Sequence, residues 1–237
     1  MSKMIKRKII YIFAIIFLCI GITILCFPKL AQQINNYQDE KIIEEFNELA
    51  LKNKDGNNEN SINLDKLLED MQQYNENLYK NGKQNVQDPY VYAQPSFDLS
   101  SYGIMDSIFG YIEAPAISMR LPIYLGASNN NMKKGAGNLS QTSVPIGGIN
   151  TNAALSAHRG MITKTMFDNI VYLKNGDDIY ITNFWKTLHY KVYDINIIFP
   201  NESSIVDIQP NRDLITLITC HPYGSNEQRF VLTCERV

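Results

Sequence analysis

The chain has 237 residues, 45% of them apolar, and a formal net charge of −2. That length sets one ordinary domain with appendages and is enough to bury a sizeable core. Outside the N-terminus no Lys/Arg cluster is interleaved with aromatics, so the composition argues against a nucleic-acid partner.

Residues 1–8 carry Lys3, Lys6, Arg7 and Lys8 and no acid. Ile9 to Phe27, IIYIFAIIFLCIGITILCF, follows with 19 residues and no charge. As a helix it rises about 28 Å, close to the hydrocarbon thickness of a bilayer. It is apolar on every face, unlike a buried soluble helix. The basic flank predicts a cytoplasmic N-terminus and an extracellular remainder, anchored by one span over 9–27. A cleaved signal peptide has a shorter apolar core and a small-x-small site, and CFPKLAQQ is a poor one. Beyond the span, 18 basic residues stand against 24 acidic ones, a net of −6. Cys19 and Cys26 fall within the span and read as packing residues.

Residues 30–53 predict an amphipathic helix with Ile34, Tyr37, Phe46, Leu49 and Ala50 on one face. KDGNNENS (54–61) has no apolar residue and reads as a loop. Leu64, Leu67, Leu68, Met71, Tyr74 and Leu78 predict a second amphipathic helix. The stretch 79–103 is rich in Gly, Pro, Ser and Tyr and reads as an extended loop.

From Ile108 the pattern changes to short β-branched runs separated by Pro, Gly, Asn and Asp. The runs are IFGYIEAPAI, LPIYLGA, NAALSAH, DDIYITN, KTLHYKVYDINIIF, SSIVDIQ, DLITLITC and RFVLTCERV. They predict a mainly β fold, about eight strands closing into a barrel. The alternation slips near Asp194, which predicts a bulge. TKTMFDNIVYL (163–173) reads as the one helical segment inside this region. The organisation is thus a cytoplasmic 1–8, a span at 9–27, a helical and loop region at 28–103, and a β-barrel at 104–237.

Cys220 ends the run LITLITC, just before His221 and a Pro-Tyr-Gly turn. It is a candidate nucleophile, half of a disulfide with Cys234, or a small core residue. A disulfide is permitted in an oxidising compartment. Strand parity puts Phe230, Leu232 and Cys234 on one face and Arg229, Val231 and Thr233 on the other. If Arg229 faces a polar groove, Cys234 is a buried thiol. His158 ends the run AALSAH, where a strand meets a loop, and active-site groups often stand at such places. His189 alternates within a strand and reads as a packing or surface residue. A thiol nucleophile needs a cation nearby, and His158 and Arg229 are the candidates. His158 has the chemistry to protonate a leaving amine, and Arg229 to steady an oxyanion. Together with Cys220 they are the minimal parts for acyl transfer through a thioester.

TLITC (216–220) matches the TLxTC signature of sortases, the membrane-anchored cysteine transpeptidases of Gram-positive surfaces. SAHRG (156–160) resembles their catalytic-histidine segment, and Arg229 stands where their catalytic arginine does. GYIEAPAISMRLPIYLGAS, GAGNLSQTSVPIGG and TLITCHPYG resemble class C, the pilin-polymerising members, over roughly residues 74–237. The resemblance implies a sortase-like eight-stranded barrel in which Cys220 attacks the Thr–Gly bond of an LPXTG-like sorting signal. A lysine amine of another pilin subunit then resolves the thioacyl enzyme. It implies no metal and no organic cofactor. Thr219, inside the signature, is a candidate substrate contact. The class also implies a lid carrying an Asp-Pro-aromatic motif, which QDPYV matches with Asp88, Pro89 and Tyr90. Tyr replaces the usual Phe or Trp there. Class C members often carry a second hydrophobic segment after the barrel, whereas here the last predicted strand runs to Val237.

The expected partners are LPXTG-type surface or pilin proteins, an amine acceptor, and the membrane. One competing expectation is a sortase that joins surface proteins to the peptidoglycan cross-bridge. The other is a non-catalytic, membrane-tethered adhesion or assembly domain in which Cys220 is structural.

Overall fold

The computed structural model describes residues 3–54, 63–81, 94–105 and 108–237. The first element is a single helix, α1 (Lys3–Lys54), of 52 residues. It unites the apolar stretch with the amphipathic helix expected to follow it. Pro28 lies inside the helix. A proline removes one backbone hydrogen bond, and the ladder continues on either side. Residues 9–27 are exposed all round, and the helix is long and apolar enough to cross a membrane.

Beyond the apolar stretch α1 lies on the β domain. Ile43 and Phe46 are fully buried, with Phe46 packed on Phe184 at 4.8 Å and edge-on to Tyr111 at 6.1 Å. Ile34 and Tyr37 do not share that face and are 50% and 72% exposed. At 3.6 residues per turn Tyr37 stands on the opposite side of the helix from Phe46. The expected stripe therefore holds from Ile43 onward only.

The second helix, α2 (Leu64–Asn81), buries Leu64, Leu67, Met71 and Asn75. Asn75 clamps the backbone of Val144, donating to its carbonyl at 3.2 Å and accepting from its N–H at 2.8 Å. The amphipathic spacing is thus confirmed, with one polar side chain built into the buried face.

Eight strands close into a barrel. They are β1 (Ile108–Ala114), β2 (Met119–Leu125), β3 (Ala136–Asn138), β4 (Thr151–Ser156), β5 (Asp178–Asn183), β6 (Thr187–Ile198), β7 (Asp213–His221) and β8 (Gln228–Arg236). The order around the barrel is β1-β2-β3-β4-β7-β8-β6-β5. The β2–β3 and β4–β7 pairs are parallel, and the rest are antiparallel. A short helix, α3 (Asn129–Lys134), connects β2 to β3. The register between β6 and β8 shifts between Val192 and Asp194, the bulge expected there.

The strand count agrees with the sequence reading, but two assignments differ. SSIVDIQ is not a strand; it forms a 3-10 turn over Ser203–Val206. Val206 is buried there against Ile198, Ile218 and Val231, capping the outer face of the sheet. The eighth strand is instead β3, whose Ala-Gly-Asn sequence has no β-branched residue. Its glycine is required by close approach, since a Cβ on Gly137 would lie 2.7 Å from the Ala127 Cα. The helix expected at 163–173 is also absent, and only Ile170–Tyr172 forms a 3-10 turn. The Asp168 carboxylate accepts from the N–H groups of Gly160 at 2.7 Å and Met166 at 3.0 Å. Those bonds fold the segment into a compact loop over the buried Met166 and Phe167.

Both faces of the β4-β7-β8 sheet are covered. Ile215, Leu217, Phe230, Leu232 and Cys234 belong to the main core. Ala154, Ile218 and Val231 belong to a second cluster with Ile198, Val206 and Met132.

Candidate active site

The β-branched run of β7 sits between β4 and β8, and all three strands end or begin at one rim of the barrel. In the β7–β8 ladder Cys220 is paired directly with Arg229. Cys220 shares the parity of Ile218 and Arg229 that of Val231, so both emerge at the margin of the second cluster. Arg229 is only 5% exposed. Its Nη1 donates to the carbonyls of Asn226 at 2.7 Å and Gln228 at 3.0 Å, which fixes the fork against the β7–β8 connection.

The parallel β4–β7 register pairs Ser156 with Ile218. Beyond it the Ala157 N–H donates to the Ile218 carbonyl at 3.3 Å. The Thr219 hydroxyl donates to the Ala157 carbonyl at 2.8 Å. These bonds carry the β4–β7 pairing one residue past Ser156, and His158 follows at the start of the loop beside the Cys220 end of β7. Thr219 itself is fully buried on the core side. Its side chain ties β7 to the segment that follows β4.

His158 is half-buried. Burial and, second, the charge of Lys133 hold its imidazole below the ordinary value of 6.5. Both effects favour the neutral imidazole, the form able to accept a proton from a thiol.

The other histidines stand elsewhere. His221 shares the parity of Thr219, and its ring lies 6.3 Å from Phe230 on the opposite side of the strand from Cys220. His189 stacks on Tyr180 at 4.6 Å and bonds Asp178 at 2.7 Å on the β5–β6 surface, as expected of a surface residue.

Cys234 is fully buried, and burial pushes its thiol well above the ordinary cysteine value. It pairs with Ile215 while Cys220 pairs with Arg229. That offset of five residues separates the two sulfurs by about 17 Å along the strands, too far for a disulfide. Both are thiols.

Sequence reasoning overlooked two residues at this rim. Arg159 Nη1 donates to the Cys220 carbonyl at 3.4 Å, and its guanidinium lies 5.7 Å from the Tyr223 ring centre. Their adjacency to His158 and to the Pro-Tyr-Gly turn was the available signal. Asp88, Pro89 and Tyr90 lie outside the described residues. Among the described residues no group of three or more His, Cys, Asp or Glu is arranged to hold a metal ion.

A thiol, a neutral imidazole and a fixed guanidinium at one rim are suited to acyl transfer. Comparisons with known proteins point the same way. Residues 112–237, slightly more than half of the chain, match the family model described as the sortase domain. A curated relative, Sortase A of Streptococcus agalactiae serotype III (strain NEM316), is 28% identical over 127 residues, covering 52% of this chain and 51% of that protein. The chain spans 51–63% of the length of the curated relatives it matches, which are Sortases A and D. A crystal structure of sortase C-1 from Actinomyces oris is 38% identical, with a TM-score of 0.65, covering 73% of this chain and 97% of that one. An X-ray structure of Clostridium perfringens sortase C with the C-terminal cell wall sorting motif is 34% identical, with a TM-score of 0.66, covering 83% and 98%. The closed barrel, the strand-end thiol and these matches agree: this chain belongs to the sortase family of cysteine transpeptidases.

Proposed function

We propose that this chain is a membrane-anchored transpeptidase that cleaves an LPXTG-like sorting signal between Thr and Gly. The product would be joined to a lysine amine of another pilin subunit. The observation that carries the reading is the direct pairing of Cys220 with Arg229, with His158 two residues past the end of the neighbouring strand β4.

In this mechanism His158 takes the proton of the Cys220 thiol, and the thiolate attacks the Thr carbonyl carbon. Arg229 donates to the oxyanion of the tetrahedral intermediate. As the C–N bond breaks, the imidazolium returns its proton to the leaving glycine amine, and a thioester remains. The incoming lysine amine then attacks the thioester. His158 accepts its proton and hands it to the departing Cys220 sulfur. An isopeptide bond results, and the enzyme is restored.

The pilin acceptor is supported by likeness to sortase C structures, one of them the Streptococcus pneumoniae enzyme, whose structure bears on pilin substrate specificity. A second reading, transfer to the peptidoglycan cross-bridge, is favoured by the curated matches to Sortase A. Both share the thioacyl step. Incubating the protein with an LPXTG-type peptide and either a pilin-lysine peptide or a cross-bridge peptide separates them. An isopeptide product with lysine alone supports polymerisation, and product with the cross-bridge amine alone overturns it.

The basic residues Lys3, Lys6, Arg7 and Lys8 support a cytoplasmic N-terminus, a span at 9–27, and an extracellular region at 28–237 with its barrel from 104 onward. Asp88, Pro89 and Tyr90 would cover the site as a lid. Replacing Asp88 and Tyr90 together by Ala should then speed alkylation of Cys220, and an unchanged rate would remove the lid from the proposal.

A further inference from the structure

The loop from His158 to Asp168 carries the candidate acid–base group out of β4. Part of its restraint is internal. The His158 carbonyl accepts from the Phe167 N–H at 3.1 Å, and Asp168 holds the amides of Gly160 and Met166. The remainder comes from the anchor helix. Gln32 and Asn35 of α1 donate to the carbonyls of Ile162 at 3.2 Å and Thr163 at 2.9 Å. About one turn further along, Asp39 Oδ1 meets Lys164 Nζ at 2.6 Å, with side chains 5% and 6% exposed. The same ammonium donates to the Lys134 carbonyl at the end of α3. One buried cation thus joins α1, the His158 loop and α3.

Stability alone does not account for such a pair. Desolvating two charges offsets much of their attraction, and an apolar pair of similar volume is often as stable. What the ion pair supplies is a fixed contact point, because each charge tolerates no other burial site. The neighbouring pair of Glu40 with Arg120 is far more exposed and lacks this constraint.

We propose that Asp39 and Lys164 are positioning residues that set His158 against Cys220, so that the anchor helix is a working part of the active site as well as a tether. This rests on the role given to His158 above. The restraint acts on one segment, and Cys220 and Arg229 keep their own strand register without it. Because α1 is continuous, Asp39 also lies about 18 Å along the helix axis from Phe27. The clasp therefore ties the His158 loop to a set distance from the end of the apolar stretch.

The test uses the full-length protein in detergent micelles. Asp39→Leu with Lys164→Met removes both charges together, and Asp39→Asn with Lys164→Gln is a second neutral variant with polar side chains if the first does not fold. Amide hydrogen exchange is followed over 158–168 and over β7 and β8, and turnover is measured with an LPXTG-type peptide. Exchange at Gly160 and Phe167 should rise at least roughly tenfold while β7 and β8 stay as in the parent. The kcat should fall roughly tenfold to a hundredfold with KM within about threefold, as for a misplaced catalytic group. Parent kcat in a variant whose loop amides exchange faster overturns the proposal. Uniformly faster exchange across the barrel overturns it too. His158→Ala separates the two readings. Lost turnover there, with parent kcat in the clasp variants, removes the clasp alone, whereas retained turnover in His158→Ala removes the role of His158 itself.

Discussion

Cys220 and Arg229 stand directly opposite each other across the β7–β8 ladder, one pair before the ladder ends at His221 and Gln228. Opposed residues in an antiparallel pair have Cβ atoms about 4.5–5.5 Å apart. The guanidinium is held there by two backbone carbonyls of its own turn. Thiol and cation are therefore placed by strand register rather than by flexible loops.

Arginine at this position is expected to be irreplaceable by lysine. Arg229→Lys keeps the charge but loses the planar guanidinium whose Nη1 bonds the Asn226 and Gln228 carbonyls. A loss of about 10²–10³ in kcat is expected for Arg229→Lys, the usual cost of removing one oxyanion donor. Steady-state kinetics on a sorting-signal peptide measure it, and a drop below threefold would count against the assignment.

Cys220→Ala should give no thioacyl adduct with an LPXTG-type peptide by intact-protein mass spectrometry. In the parent protein, iodoacetamide at neutral pH should label Cys220 and spare the fully buried Cys234. Labelling of Cys234 in the folded protein would contradict the buried assignment.

Cys234 offers a stability test independent of catalysis. Cys234→Ala should cost on the order of 1 kcal/mol through the small cavity it leaves, with turnover intact. Cys234→Ser should cost more, by about 1–3 kcal/mol, because it places a hydroxyl among Ile215, Leu217 and Leu232. Denaturant midpoints measure both, and equal midpoints would argue that the site is wetter than described.

His158 should titrate below its ordinary value of 6.5, owing to burial and then to Lys133. Lys133→Ala removes a like charge and should move the midpoint upward, read from the His158 ring signals by NMR. A downward move would show that Lys133 does not act on this ring. The linkage has a definite sign. The folded value is depressed, so the unfolded chain binds the proton more readily. The stability contributed above pH 6.5 is then lost as pH falls from 6.5 toward the folded value.

Much of the fold was legible because its signals are local. The β-branched run of β7 and the alternation of β8 mark strands wherever they pair, and parity put Cys234 on the core face once Arg229 was taken to face outward. The amphipathic spacing of α2 is equally local. The errors fell where tertiary contacts override local preference. Ala136–Asn138 is a strand only because β2 and β4 flank it and Gly137 admits Ala127. Residues 163–173 have helical spacing, yet Asp168 bonds the amides of Gly160 and Met166 and holds the segment as a loop. Ile34 and Tyr37 are apolar, but over these turns α1 meets the β domain through Gln32 and Asn35 on another face, and its apolar contact begins at Ile43.

The sequence by itself determined the chemical types at the site and the apolar stretch ahead of it, since a TLxTC strand end, a strand-end histidine and an uncharged 19-residue run are written in consecutive residues. Only the tertiary structure decided that Cys220 faces Arg229 in register, that β4 runs beside β7 and ends two residues before His158, and that Asp39 reaches Lys164 across 125 positions of chain. Those relationships are set by strand pairing and buried charge between distant segments, and no local pattern encodes them.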